Sequence, residues 1–349
     1  MKPTLVILVF LVVSVVTLSA CVSQAPQANS QSMVPSPSPT LSLTTVKVAY
    51  LPLISNAPLF FAKEEGFFAK QGINVEFEKF QSGAAALPAL INGDIAVSGG
   101  ALSPGLYNAI AKDAHIRIVA DKGSSTPGSC NSSAVMVKRD LFDKGLVRSV
   151  SDLKGRKIMA SGDQDYSIFR ILALGNLTTD DVQIVNMDYP SGVMALRNGA
   201  VDTGVLVEPY ITQALNNGTA VVLISANNYS PYAPYPLYYG PAFLDKNPDL
   251  GRRFMVAYLQ GVKQYNQGKT DRNIEILANY THLDQDLLKQ TCWVPIAYDG
   301  LIVKQPVIEY MDWLYANKKI TQKLDEDQLF DMSYVNYANG ILANTTNRG

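Results

Sequence analysis

The sequence predicts an α/β fold of two lobes, each a mainly parallel sheet flanked by helices, joined by a hinge of two chain crossings. Three observations predict it. Strand and helix patterns alternate from Val46 onward, the whole order returns after Lys154, and each copy is left through a stretch crowded with turn formers. Alternation of this kind builds parallel strands with helices on the sheet faces, because each return connection has to cross the sheet.

The first copy opens with the apolar strand VKVAYL, followed by the loop PLISNAP and an amphipathic helix LFFAKEEGFFAKQG. Ser55 or Asn56 is placed to cap that helix, Pro58 suits its first turn and Gly72 its C-terminal stop. INVEFEKF alternates apolar and polar residues, as a strand with one buried face does. FQSGAAALPALINGDIAVSGG (80–100) reads as helix, Asn-Gly turn and strand, and IRIVA (116–120) as a further strand.

In the second copy RKIMA is a strand, SGDQDYS a polar loop, IFRILALGN a helix and VQIVNMDY a strand. YPSGVMALRNGAVDTGVLVEPY then answers 80–100. Aligned on their Ser-Gly pairs, Phe80, Ser82 and Gly83 match Tyr189, Ser191 and Gly192, and both copies continue to Ala-Leu-x-Asn-Gly and an apolar strand. In this alignment the second copy is shorter by three residues between Ser-Gly and Ala-Leu. Shared order, spacing and element type mark a duplicated unit.

The crossings are read at DKGSSTPGSC (121–130) and SANNYSPYAPYPLYYG (225–240), both rich in turn formers. A helix opens at Asn247-Pro248-Asp249, and helical segments continue towards the end. The resulting partition assigns 46–127 with 235–343 to one lobe and 128–234 to the other. Open α/β sheets bind ligands at the carboxyl ends of their strands, which places a cleft between the lobes.

Before the first lobe, Lys2 precedes an apolar run from Leu5 to Leu18. At about 14 residues it has the length of a signal-peptide core and falls short of a membrane span. The run ends in Leu18-Ser19-Ala20-Cys21, which resembles the lipobox of lipoproteins. That resemblance implies a signal peptide over 1–20 and a diacylglycerol on the Cys21 sulfur, against ordinary cleavage after Ala20 or an uncleaved anchor. Residues 21–45 are rich in Ser, Pro, Gln and Thr and carry no charge, the composition of a flexible tether.

The remainder is long enough for two packed domains. Net charge is −1 and no basic block occurs, which excludes the electrostatic footprint of a nucleic-acid binder. Cys130 and Cys292 remain after Cys21. In an exported chain they form a disulfide or stay as two thiols, and spacing does not decide between these. Neither these cysteines nor His115 and His282 shows metal-ligand spacing, so no metal or other cofactor is expected.

Taken together, VAYLPLISNAPLFFAKEEGFFAKQGINVEF, SVSDLKGRKIMASG, MALRNGAVDTGVLVEPYITQAL and DMSYVNYANGIL resemble the type II extracytoplasmic substrate-binding lipoproteins of ABC importers. The group is the one serving nitrate, taurine, alkanesulfonates and thiamine-precursor pyrimidines (NitT/TauT and NMT1/THI5-like proteins). The resemblance implies the two-lobed, type II periplasmic-binding-protein-like fold. It also implies a small-molecule solute, a membrane permease with its ATPase as partners, and an extracytoplasmic, lipid-anchored monomer.

By position, it implies a cleft built from Ser55 and Asn56, from Gln81, Ser82 and Gly83, and from Gly99, Gly100 and Ala101. Ser161, Asp163, Gln164, Asp165 and Tyr166 complete it, with Glu208 of the EPY element. Loops entering helix N-termini expose backbone N–H groups, and small residues there admit close approach. For Ser82-Gly83 ligand contact is expected ahead of a simple N-cap; for Ser191-Gly192 the N-cap comes first.

None of these loops contains Arg or Lys, whereas Asp163, Asp165 and Glu208 bring carboxylates. That balance favours a nitrogen heterocycle of the pyrimidine or flavin kind over a sulfonate, taurine or nitrate, with Tyr166 and Tyr189 available for stacking. No phosphate-binding loop, HExxH or Gly-x-Ser-x-Gly elbow is present, so a binding protein is expected rather than an enzyme. A tethered sensor, or a pyrimidine-synthesis enzyme of the same fold, is the alternative.

Overall fold

Ten strands form two five-stranded sheets of identical order in the computed structural model, which describes residues 43–346 apart from 127, 163 and 230–232. The lipobox with Cys21 and most of the 21–45 segment lie outside the described residues. The first sheet contains β1 (Thr44–Tyr50), β2 (Ile73–Lys79), β3 (Val97–Gly99), β4 (Arg117–Ser124) and β10 (Pro234–Tyr239) in the order β2-β1-β3-β10-β4. The second contains β5 (Ser133–Lys138), β6 (Lys157–Ala160), β7 (Gln183–Asn186), β8 (Thr203–Val207) and β9 (Ala220–Ser225) in the order β7-β6-β8-β5-β9.

Each sheet is mixed. β1 pairs in parallel with β2 and β3, and β6 with β7 and β8, whereas β10 and β5 run antiparallel to both their neighbours. The reversed strands are those that follow the two crossings, residues 125–132 and 226–233. A chain that leaves one sheet at the cleft edge enters the other at its cleft edge, and the next strand must run away from the cleft.

Side-chain alternation sorts the strands between layers. In β5, Ala134 and Met136 join one core cluster and Val135 and Val137 the opposite one; in β10, Leu237 and Tyr239 face one way and Tyr238 the other. Against the first sheet, helix Pro248–Tyr265 crosses α1 (Ala57–Glu64) closely. A Cβ on Gly261 would stand 2.1 Å from the Pro58 carbonyl oxygen, so only glycine allows that approach.

The amphipathic stretch read as one helix is two, α1 and α2 (Phe67–Lys70), split where Gly66 takes a left-handed φ of 70°. Neither expected cap serves α1. Asn56 sits at the N-cap position, but its side-chain amide donates to the Leu51 carbonyl, and Ser55 is engaged elsewhere.

The duplication is more exact in space than in sequence. α3 (Gly83–Asn92) and the helix Tyr189–Asn198 have ten residues each, and each is closed by a left-handed glycine, Gly93 at φ 76° and Gly199 at φ 79°. Their N-caps are Ser82, whose Oγ accepts from Ala85 N, and Asp188, whose carboxylate accepts from Ser191 N. The spatial partner of Ser82 is therefore Asp188, and the expected N-cap at Ser191 is corrected. Ser191 and Gly192 lie inside the helix, where a Cβ on Gly192 would stand 2.7 Å from Met159 Cε. The apparent three-residue deletion was an alignment of unlike serines.

Candidate functional site

Between the sheets lies a cavity open to solvent. Ser55, Asn56, Gly83, Gly99, Gly100, Ala101, Ser161 and Glu208 line it, with Lys122, Ser132, Tyr189, Val207, Tyr235, Cys292 and Val294 among others. Gln164 and Tyr166 instead line an adjoining cavity, which shares Ala101, Tyr189, Val207 and Tyr235 with the first. Gln81 faces a third, on another side of Tyr189. Ser82 lines none of the three, since its hydroxyl is the cap of α3. Asp163 and the side chain of Asp165 lie outside the described residues.

The residue the sequence reading missed is Lys122. Its side chain is 1% exposed, and Nζ donates to Ser55 Oγ at 3.0 Å. The irregular crossing was expected from Asp121, but β4 runs on to Ser124 and carries Lys122 into the cleft wall. Asp121 makes the extension possible from the other side of the strand. Its carboxylate accepts from Gly123 N, Ser124 Oγ and Ala297 N, while burial pushes its pKa above the ordinary aspartate value.

Lys122 also explains Gly99. A Cβ there would stand 2.6 Å from Lys122 Cε and 2.9 Å from Cδ. The bare backbone of β3 is a trough for the lysine stem, and Gly99 leaves room for a protein side chain.

Several predicted contacts are already engaged within the protein. Glu208 Oε1 accepts from Thr212 Oγ1 at 2.8 Å and Cys292 N at 3.2 Å, and Oε2 accepts from Thr212 N at 3.1 Å. Burial raises its pKa, and these donors oppose the rise. The carboxylate thus braces helix Tyr210–Asn216 against the Cys292 segment. Cys130 and Cys292 are joined by a disulfide, so the first crossing is tied to that same segment. Gln164 Oε1 accepts from Ser161 N, and Tyr166 packs on Tyr310 and Trp313 from the helix Gln305–Ala316, at centroid distances of 4.7 and 5.4 Å.

Gly83 and Tyr189 are the first residues of the two spatially matched helices, and both line the first cavity. One copy offers bare backbone at a helix N-terminus, the other an aromatic ring. Neither histidine lines the cleft: His115 pairs with Asp245 on the surface, and His282 ends helix Asp271–Thr281 in a left-handed conformation.

The cleft thus lies between two sheets of one order, with small residues and a buried cation on its wall. The sequence model of the NMT1/THI5-like family matches residues 54–267. The chain belongs to the NMT1/THI5-like family.

Among relatives of this NMT1/THI5-like chain, the bicarbonate-binding protein CmpA of a Synechococcus strain is 25% identical over 316 residues. That match takes in 83% of this chain and 66% of CmpA, just under two thirds of its length. The taurine-binding periplasmic protein of Escherichia coli is 28% identical over 50% of this chain and 51% of its own. Among solved structures, the alkanesulfonate-binding protein SsuA from Xanthomonas axonopodis pv. citri, bound to MOPS, has a TM-score of 0.68. It is 19% identical, and the match covers 82% of this chain and 98% of SsuA. The desulfurization enzyme DSZB shares the fold at a TM-score of 0.60 and 14% identity, over 85% of this chain and 99% of its own. The two-lobed α/β fold is common to binding proteins and to at least one enzyme.

Proposed function

We propose that this chain is the extracytoplasmic solute-binding component of an ABC-type importer, holding a small anionic solute in the cleft and presenting it to a membrane permease. The observation that carries the reading is Lys122, an ammonium almost wholly withdrawn from water on the cleft wall. The positive potential of a desolvated ammonium on a cleft wall attracts an oxyanion, beside the protein partners it already has in Ser55 and the neighbouring Asp121 carboxylate. Ser55 orients the ammonium from one side. The N-terminus of α3 at Gly83 adds backbone donors and the positive end of a helix dipole.

This reading replaces the preference for a neutral or cationic heterocycle. That preference rested on a cleft holding carboxylates and no cation. Lys122 supplies the cation, and Glu208 directs both its oxygens at protein donors. Relatives named for bicarbonate and taurine, and a fold neighbour named for alkanesulfonates, are in keeping with an anion. The two crossings would act as the hinge, and a lipid on Cys21 would hold the protein at the outer face of the membrane.

The test is equilibrium binding of taurine, methanesulfonate, nitrate, bicarbonate and an aminopyrimidine by calorimetry. At least one anion should bind with a Kd in the micromolar range or tighter, and the pyrimidine should not. Binding of the pyrimidine alone would overturn the reading.

A further inference from the structure

The cleft continues past the Lys122 cavity, and tyrosines wall the continuation. Beyond the Lys122 cavity lies the adjoining cavity, the roomier of the two and also open to solvent. The two share Tyr189 and Tyr235, which stand where one opens into the other. Tyr166 and Tyr310 line the far part, tilted 56° to one another, with Arg170 and Glu309 nearby.

These groups are held in place from outside the cavity. Arg170 Nε donates to the Tyr229 carbonyl at 3.0 Å, and its guanidinium lies 5.8 Å from the Tyr166 ring centre. Tyr189 is fixed as the first residue of its helix, lies flat against Tyr210 with 5.9 Å between centroids, and accepts from Gln164 Nε2. The chamber is walled by four tyrosines together with Gln164, Arg170 and Glu309, so it offers a flat ring faces and edges to pack on and offers polar groups to its rim.

We propose that the solute is an anion carrying a flat ring: an aryl or heteroaryl sulfonate or carboxylate. Its charged group sits at Lys122 and Ser55, and its ring extends past Tyr189 and Tyr235 into the tyrosine chamber. The proposal rests on the anion reading of the same cleft and adds the body of the molecule. It also gives the tyrosines a use compatible with a cation in the head cavity.

The experiment titrates the full mature protein with methanesulfonate, cyclohexanesulfonate, benzenesulfonate, naphthalene-2-sulfonate and benzoate by calorimetry. Benzenesulfonate or benzoate should bind at least tenfold more tightly than methanesulfonate, and benzenesulfonate more tightly than cyclohexanesulfonate, which is apolar without being flat. In Tyr166→Leu the preference for benzenesulfonate over methanesulfonate should fall at least threefold. Equal affinity for methanesulfonate and the aryl anions in the wild-type protein overturns the ring and leaves the anion standing. Tighter binding of cyclohexanesulfonate than benzenesulfonate reduces the chamber to an apolar pocket and also overturns it. Binding by none of the five overturns the ring, and if taurine, nitrate and bicarbonate also fail to bind, the anion reading falls with it.

Discussion

Replacing Lys122 by Met separates binding from folding, because the two should move in different directions. A hydrogen bond to a charged group contributes about 1.5–3 kcal/mol. At about 1.4 kcal/mol per decade, losing one of these from Lys122 to a bound anion weakens affinity about ten- to a hundredfold. Folding follows other terms. Lys122 is 1% exposed, so its ammonium bears nearly full desolvation, which a methionine of similar length does not. Against that gain stand the loss of the charged bond to Ser55, about 1.5–3 kcal/mol, and of the attraction to the buried Asp121 carboxylate. The melting temperature of Lys122→Met should therefore lie within about 3 °C of wild type or above it. Calorimetric titration with the best-bound anion gives the first quantity and differential scanning calorimetry the second. Unchanged affinity would refute the reasoning. A melting temperature lowered by 10 °C or more would assign Lys122 to the scaffold instead, on the scale of about 2–4 °C per kcal/mol.

Three further outcomes follow from the geometry. Asp188→Ala should cost about 1 kcal/mol of stability in urea denaturation, as loss of an N-cap does, and Ser191→Ala less than about 0.5 kcal/mol; the reverse order would restore the sequence alignment. Replacing Cys130 and Cys292 together by Ser opens a link between residues 162 apart and should cost about 2–5 kcal/mol, read as a lower denaturation midpoint. Burial raises the Glu208 pKa, so the unfolded chain ionises first as pH rises from about 4, and the stability contributed by this group is lost on passing up to the raised folded value. Glu208→Gln should flatten that part of the stability-versus-pH curve above about pH 4, and an unchanged slope would assign the dependence to other groups.

The fold was legible because hydrophobic period and turn chemistry act locally. Val46 and Val48 in β1, the Asn-Gly turns ending at Gly93 and Gly199, and the Pro248 helix start each carry their own signal. Strand direction after a crossing is set by the distant sheet being entered, so the reversal of β5 and β10 had no local mark. The site was less legible for a related reason. Asp121-Lys122-Gly123 reads as loop because Gly, Ser and Pro crowd the residues that follow, yet each charged side chain meets a partner far away in sequence, Ala297 for Asp121 and Ser55 for Lys122. Gly99 and Gly100 were read as room for backbone contact with a solute. That Gly99 faces Lys122 could come only from strand pairing across β10.

Repetition misled in one place. Two Ser-Gly pairs invited alignment, but helix starts are fixed by which side chain reaches a backbone N–H, and Asp188 does this as Ser82 does. Aligning on the left-handed glycines at the helix ends would have paired Ser82 with Asp188 at once, since both helices have ten residues. C-terminal glycines are the firmer anchor there, because a positive φ restricts the choice of residue more than an N-cap does.

The most direct measurement is a crystal structure of the protein grown with the tightest-binding anion from the calorimetric panel. The account predicts density in the cleft with an anionic oxygen within about 3 Å of Lys122 Nζ, the geometry of a charge-assisted hydrogen bond. Density outside the cleft, or inside it with the anion turned away from Lys122, would contradict it.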